Sequence, residues 1–251
     1  MEPVNHKSVN DSKNRIFGIF GLSKMKNISV ENLINEIPCY GILNDEEKFL
    51  VQNSSYIVGY DAGETLFRQD SPISHIMYVQ SGLIKIFNRG RDEKSIIFGL
   101  VTPGNFVTLL NLAGQELYSC NATVVEKAEV LLTDISVFRK LIKSNGEFAV
   151  RVIEQTGAEG LDIISRFINQ FQKQLPGRVA DMLLFFSENI YKSQSFTLPL
   201  SRRELAELTG TTKESMIRTL AEFRHDKIIK IDGKEVEIIS PNIIRTLSRL
   251  G

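Results

Sequence analysis

From Tyr56 onward apolar and polar residues alternate with a period of two, in short runs holding Ile57, Tyr60, Leu66, Phe67, Ile76, Tyr78, Val79, Leu83, Ile84, Ile86, Phe87 and Ile96 to Phe98. Such alternation sends successive side chains to opposite faces of a strand. Between the runs stand Gly59, Asp61-Ala62-Gly63, Asp70-Ser71-Pro72, Ser81-Gly82, Arg89-Gly90 and Pro103-Gly104. Turn signals at intervals of about ten residues predict a β sandwich or jelly roll. Spaced apolar residues over 27–52 predict short helices ahead of it. The strands close near Val130-Leu131-Leu132, and Ile135 to Ile142 returns to helical spacing.

Over 147–172 the pattern changes again. Ile153, Gly157, Gly160, Ile164, Phe167 and Phe171 follow one another at intervals of 4, 3, 4, 3 and 4 residues, the a/d seam of a coiled coil. A glycine inside a helix costs about 1 kcal/mol relative to alanine, so two on the seam predict close approach of a partner helix and hence a homodimer. Packing of this helix on its own β domain is the alternative.

Beyond Pro176 a helix is predicted from Gly177 to Ile190, with Gln172 to Gly177 as a hinge. Then come an extended piece from Thr197 to Leu200, two helices about Gly210, and a hairpin. Its strands, Ile228 to Ile231 and Val236 to Ile239, flank Asp232-Gly233-Lys234-Glu235, a tight-turn signal because glycine accepts positive φ. Ser240-Pro241 opens a last helix to Leu250. Helix-turn-helix followed by a hairpin is a winged helix.

Ser201-x-x-Glu204 and Thr211-x-x-Glu214 both fit the capping box that opens a helix, and Gly210 supplies the turn between them. Ala206 is small where the helices cross, and Leu205, Leu208, Met216 and Leu220 supply the buried face. Lys213, Glu214, Ser215 and Arg218 then form an outward edge of the kind that enters a DNA major groove. Arg218 can pair with guanine O6 and N7. Glu214 can accept from cytosine N4, or serve only as a cap. Arg202, Arg203, Thr211 and Thr212 suit phosphates. An ordinary helical hairpin is the bland alternative.

At 42% apolar and 24% charged, the 251-residue chain has the composition of an ordinary folded protein. Apolar runs such as Met182 to Phe186 are far shorter than the ~18 residues of a membrane span. Cys39 and Cys120 lie far apart with no Cys-x-x-Cys, which argues against a disulfide scaffold or a four-cysteine metal site and fits a reducing cytoplasm. The N-terminus lacks a secretory pattern, and Met25 is an alternative start to Met1.

Net charge is zero, but residues 173–251 hold 13 basic and 10 acidic residues, a weak pointer to a polyanion-binding end. A jelly-roll metalloenzyme usually needs two or three neighbouring histidines. The chain has His6, His75 and His225 and no His-x-His pair. Gly-x-Ser-x-Gly, a phosphate-binding loop and His-Glu-x-x-His are absent, so no enzymatic activity is expected. A ligand-sensing roll whose output is protein binding is a further alternative, and the winged helix argues against it.

With β roll, seam helix and winged helix in this order, the chain resembles the Crp/Fnr family of bacterial transcription regulators over about residues 30–250. The expected fold is α+β: a tail over 1–29, a cyclic-nucleotide-binding-like double-stranded jelly roll over 30–146, a dimerisation helix over 147–173 and a winged helix over 174–251. Tyr60 to Phe87 is similar to the family's roll, with Gly63, Gln69, Gly82 and Gly104 where its turns fall. Asp70 stands where the family usually has Gly, in a turn that Asp can still make. Gly210 to Arg218 matches the family's recognition helix. The resemblance implies double-stranded DNA and RNA polymerase as partners and a small-molecule effector in the roll.

The departures concern that effector. In the cyclic AMP receptor subgroup, a Glu and an Arg-Ser pair hold the ribose and the cyclic phosphate. Here Leu109 takes the Glu position, and Tyr118-Ser119 replace Arg-Ser. A phosphate without its Arg is a poorly compensated buried charge, which argues against cyclic AMP. The iron–sulfur subgroup needs an N-terminal cysteine cluster, but that half holds only Cys39. His75 alone is a weak offer of a haem ligand. Leu109, Leu110, Tyr118, Ser119 and Cys120 are left as pocket candidates for a less anionic effector, unless side chains simply fill the pocket.

Overall fold

The computed structural model describes residues 30–90, 95–107, 109–112 and 114–251. The expected tail, with both candidate start methionines and His6, lies outside them. Two short helices, α1 (Val30–Glu36) and α2 (Asp45–Asn53), lead in. Helix α2 opens on a capping box: the Asn44 side chain accepts from the Glu47 amide, and the Glu47 carboxylate accepts from the Asn44 amide.

Strands β1 (Ser55–Tyr60), β2 (Thr65–Phe67), β3 (His75–Arg89), β4 (Ser95–Val101) and β5 (Asn121–Asp134) pair antiparallel in the order β1-β5-β3-β4, with β2 also on β5. The alternating pattern puts Leu66, Met77, Val79, Ile84, Ile86, Val124 and Val130 into one buried cluster inside the roll. The structure corrects the reading of Ser81-Gly82 as a turn between strands. Both residues lie within β3, where the register against β5 shifts between Val79 and Ser81 and again on either side of Leu83. Gly82 has φ +89° there, and a Cβ on it would stand 2.3 Å from the Lys127 carbonyl oxygen, so the glycine serves a bulge. Asp70 does adopt the left-handed region, at φ 64°.

Helices α3 (Ile135–Ser144) and α4 (Gly146–Gln172) follow. Tyr40 is buried and stacks on Phe148 in the first turn of α4, with ring centroids 6.1 Å apart, and meets Phe138 of α3 edge-on. These aromatic contacts fix the root of α4 on the roll. Helix α5 (Leu175–Leu184) carries Pro176 in its first turn and runs into a π-helical turn over Phe185–Ile190. Then come β6 (Ser195–Thr197), α6 (Arg202–Thr209), α7 (Lys213–His225), β7 (Ile229–Asp232), β8 (Glu235–Ile238) and α8 (Pro241–Leu250). The small sheet has the order β6-β8-β7. Val179, Leu183, Phe186, Leu205, Met216, Leu220 and Ile244 form its core, and Leu83, Ile97 and Leu100 of the roll join the same cluster. The fold is the expected α+β one: roll, long helix and winged helix in that order.

Candidate nucleic-acid interface

Helix α6 opens on the predicted capping box, with the Ser201 hydroxyl accepting from the Glu204 amide and the Glu204 carboxylate accepting from the Ser201 amide. It ends at Gly210, whose φ of 63° lets the chain turn directly into α7. The second box differs from expectation. The N-cap of α7 is Thr212, whose hydroxyl accepts from the Ser215 amide at 3.2 Å. The helix therefore starts one residue later than the Thr211 reading places it, because Thr212 carries the same capping hydroxyl as Thr211. Glu214 is exposed and has no part in this cap.

Met216, Thr219, Leu220 and Phe223 point into the core, and Ala206 is 2% exposed where α6 crosses α7. Lys213, Glu214 and Arg218 are exposed on the opposite side, with Ser215 partly covered between them. Ile217, which the sequence reading passed over, is 46% exposed on that side too. Of the four residues assigned to phosphates, Arg203 pairs with Glu207 along α6 at 3.1 Å. Arg202 donates to the carbonyl of Gly233 in the wing turn, so it ties the wing to the start of α6. Thr211 is partly covered and Thr212 is exposed.

Arg178, also missed, anchors this unit to the long helix. Its guanidinium donates to the carbonyls of Lys173 (2.7 Å) and Gln170 (3.3 Å) at the end of α4, and to that of Thr209 (2.8 Å) at the end of α6. One cation thus meets the negative ends of two helices. The only signal in the sequence was its place just after Pro176-Gly177, at the end of the expected hinge.

Along α4 the seam residues Ile153 (69%), Ile164 (54%), Phe167 (61%) and Phe171 (75%) are exposed in the single chain. Val150, Leu161 and Ile168 extend the same apolar surface. Nothing lies within 4 Å of a Cβ placed on Gly157, whereas Gly160 faces Leu110 of its own roll, with 3.8 Å between that Cβ and Leu110 Cδ2.

The five pocket candidates are divided. Leu109 is buried in the cluster under α3 and α4, while Tyr118 and Cys120 are buried in the roll cluster. Tyr118 stacks on Phe67 at 3.7 Å and donates to the His75 carbonyl. Ser119 is exposed and donates to Asn111 Oδ1 at 2.8 Å, and Leu110 is 38% exposed. Glu159 of α4 closes this corner. Burial pushes its carboxyl up to about 7 against the opposing pull of the Leu110 and Leu109 amides, which hydrogen-bond to it. His75 has both ring nitrogens engaged, by Tyr56 (3.1 Å) and Ser74 (2.8 Å), and Cys39 is buried with its thiol pushed up to about 12. Among the described residues no helix is long and apolar enough to cross a membrane, and no group of three His, Cys, Asp or Glu could hold a metal ion.

Residues 57–145 match the model of the cyclic nucleotide-binding domain, and residues 177–247 match that of the Crp-like helix-turn-helix domain. The chain is 28% identical over 189 residues to the transcriptional activator protein FnrA of Stutzerimonas stutzeri, covering 70% of this chain and 74% of that one. It is 23% identical over 185 residues to a CRP-like cAMP-activated global transcriptional regulator of Mycobacterium tuberculosis, covering 72% and 83%. In fold it is similar to FixK2 of Bradyrhizobium japonicum, at TM-score 0.70 and 20% identity over 77% of this chain and 96% of that one. A Crp/Fnr-family regulator from Eubacterium rectale superposes at TM-score 0.75 and 16% identity, covering 86% and 99%. With one family model matched on the roll and the other on the winged helix, the chain belongs to the Crp/Fnr family of bacterial transcription regulators.

Proposed function

We propose that two copies of this chain pair along α4 and read a near-palindromic DNA operator, each presenting α7 to a major groove about one helical turn (~34 Å) from the other. The observation that carries the reading is the division of α7: its core face is buried to the last residue, while Lys213, Glu214 and Arg218 stand in solvent. Arg218 takes guanine O6 and N7, Glu214 accepts from cytosine, and Lys213 and Ser215 complete the base-reading edge. Arg203, Thr211 and Thr212 hold phosphates, and Arg202 sets the wing against them.

The stripe of Ile153, Ile164, Phe167 and Phe171 is the surface that the second copy covers. An effector seated by the roll acts through the Leu110 and Glu159 corner, where roll and pairing helix meet. Cyclic AMP does not suit that corner, and the reading includes no haem or iron–sulfur cluster. RNA polymerase is the partner expected of an operator-bound regulator.

Promoter fragments bound to the wild-type chain and to Arg218→Ala test the proposal. Loss of discrimination at one base pair per half-site, worth ~1 to 3 kcal/mol, is the expected result. An unchanged sequence preference in the variant overturns it.

A further inference from the structure

At 3.6 residues per turn, Glu214, Ile217, Arg218 and Ala221 lie along one stripe of α7, and all four are exposed. Among the large apolar side chains of α6 and α7, Ile217 is the one that stands in solvent, at 46%. The neighbouring Met216, Leu220 and Phe223 fill the core. A branched apolar residue here adds nothing to the core, and its stiff side chain is slightly unfavourable to a helix. Its position between a carboxylate and a guanidinium, on a helix edge where Lys213 and Arg218 are exposed, is where the electrostatics favour a polyanion.

Of the base edges in the major groove, thymine alone offers a methyl group. We propose that Ile217 is a specificity-determining residue, packing on a thymine C5-methyl in the base pair next to the one that Arg218 reads. The inference rests on the operator-reading function above and narrows it to a sequence. The sec-butyl group can neither donate nor accept, so a cytosine amino or guanine carbonyl turned toward it loses its water without a replacement partner. Ile217 thereby rejects G·C at that step as well as selecting T.

The test uses the full chain. Bound duplexes are first selected from a random library. Each thymine of the selected half-site is then replaced singly by deoxyuridine, which removes the methyl and nothing else. One thymine beside the Arg218-dependent guanine is expected to weaken binding about 4-fold on replacement, the value of burying one methyl-sized group. Ile217→Ala is expected to bind the thymine and uracil duplexes equally while keeping its guanine preference. If no thymine is sensitive, or if wild type and Ile217→Ala respond alike, the thymine contact is overturned and the Arg218 reading stands. If selection yields no preferred sequence, the operator-reading function fails with it. Binding of the wild-type chain to the uracil series decides the matter even where the variant folds poorly.

Discussion

Lys85 of β3 reaches Glu204 of α6, Nζ to Oε1 at 2.5 Å, and so ties the roll to the first helix of the helix-turn-helix. The two side chains are only 18% and 26% exposed, and the Glu204 carboxylate also closes the capping box with Ser201. Burial alone would raise the Glu204 carboxyl, but the hydrogen bonds from Lys85 and Ser201 hold it below the ordinary glutamate value. Its contribution is therefore present above that ordinary value and is lost as pH falls through the lowered one. Urea unfolding of Lys85→Met is expected to show a loss of about 1 to 2 kcal/mol. Glu204→Ala should lose more, because its half of the capping box goes with the pair. The double variant should fall close to Glu204→Ala alone, and simple addition of the two losses would show that the residues are uncoupled.

Glu159 sets a pH dependence of the opposite sign. Its carboxyl is raised from 4.5 to about 7 by burial, so its contribution to the packing of α4 on the roll is fully present below 4.5 and lost as pH rises through about 7. Such a shift corresponds to at most about 3 kcal/mol. Burial also raises the Cys120 thiol and the Tyr118 hydroxyl nearby, so both stay uncharged through that window. Melting temperatures of the wild type should fall between pH 5 and pH 8, and those of Glu159→Gln should fall markedly less. Parallel curves for the two proteins would contradict the assignment.

Two glycines with positive φ should respond differently to alanine. At Gly82 the added Cβ meets backbone: the Lys127 oxygen at 2.3 Å and the Ala128 Cα at 2.6 Å. At Gly210 it meets the Gln170 side chain, whose nearest atom lies at 3.2 Å and can swing away. Gly210→Ala should cost about 1 to 2 kcal/mol, the price of a left-handed alanine, and Gly82→Ala clearly more. Equal losses in chemical denaturation would remove the argument for a backbone clash at Gly82.

The paired use of α4 predicts that a charge on its bare face dissolves the dimer. Ile164→Asp and Phe167→Asp should sediment at half the mass of the wild type and keep its circular dichroism, since both side chains are exposed in the single chain. A wild type that already sediments as a monomer contradicts the pairing.

Features with a strong local cause were legible in the sequence. The Ser201–Glu204 box, the Gly210 turn, the Asp232-Gly233 wing and the period-two runs each follow from a few adjacent residues. Ser81-Gly82 was misread because a turn and a bulge draw on the same glycine chemistry, and only the pairing of β3 with β5 tells them apart. The Thr211 box failed by one residue because Thr212 has the same hydroxyl and caps the helix alone, with no glutamate at the position that would close a box. Lys85 and Glu159 could not be read at all, since their partners lie 119 and about 50 residues away and no periodicity marks them, and the link from Arg178 to Thr209 spans 31 residues. Leu161 and Ile168 were passed over because a strict 3–4 count follows a single line, whereas a helix packs with a band.

Two α7 edges held one helical turn apart by the α4 pair are tested most directly by operator spacing. Affinity is measured for the selected duplex, and for the same half-sites moved apart by about 5 base pairs, which turns one groove to the opposite face. The dimeric reading predicts that the displaced duplex binds no better than random DNA at the same salt. Equal affinity for both spacings would contradict it.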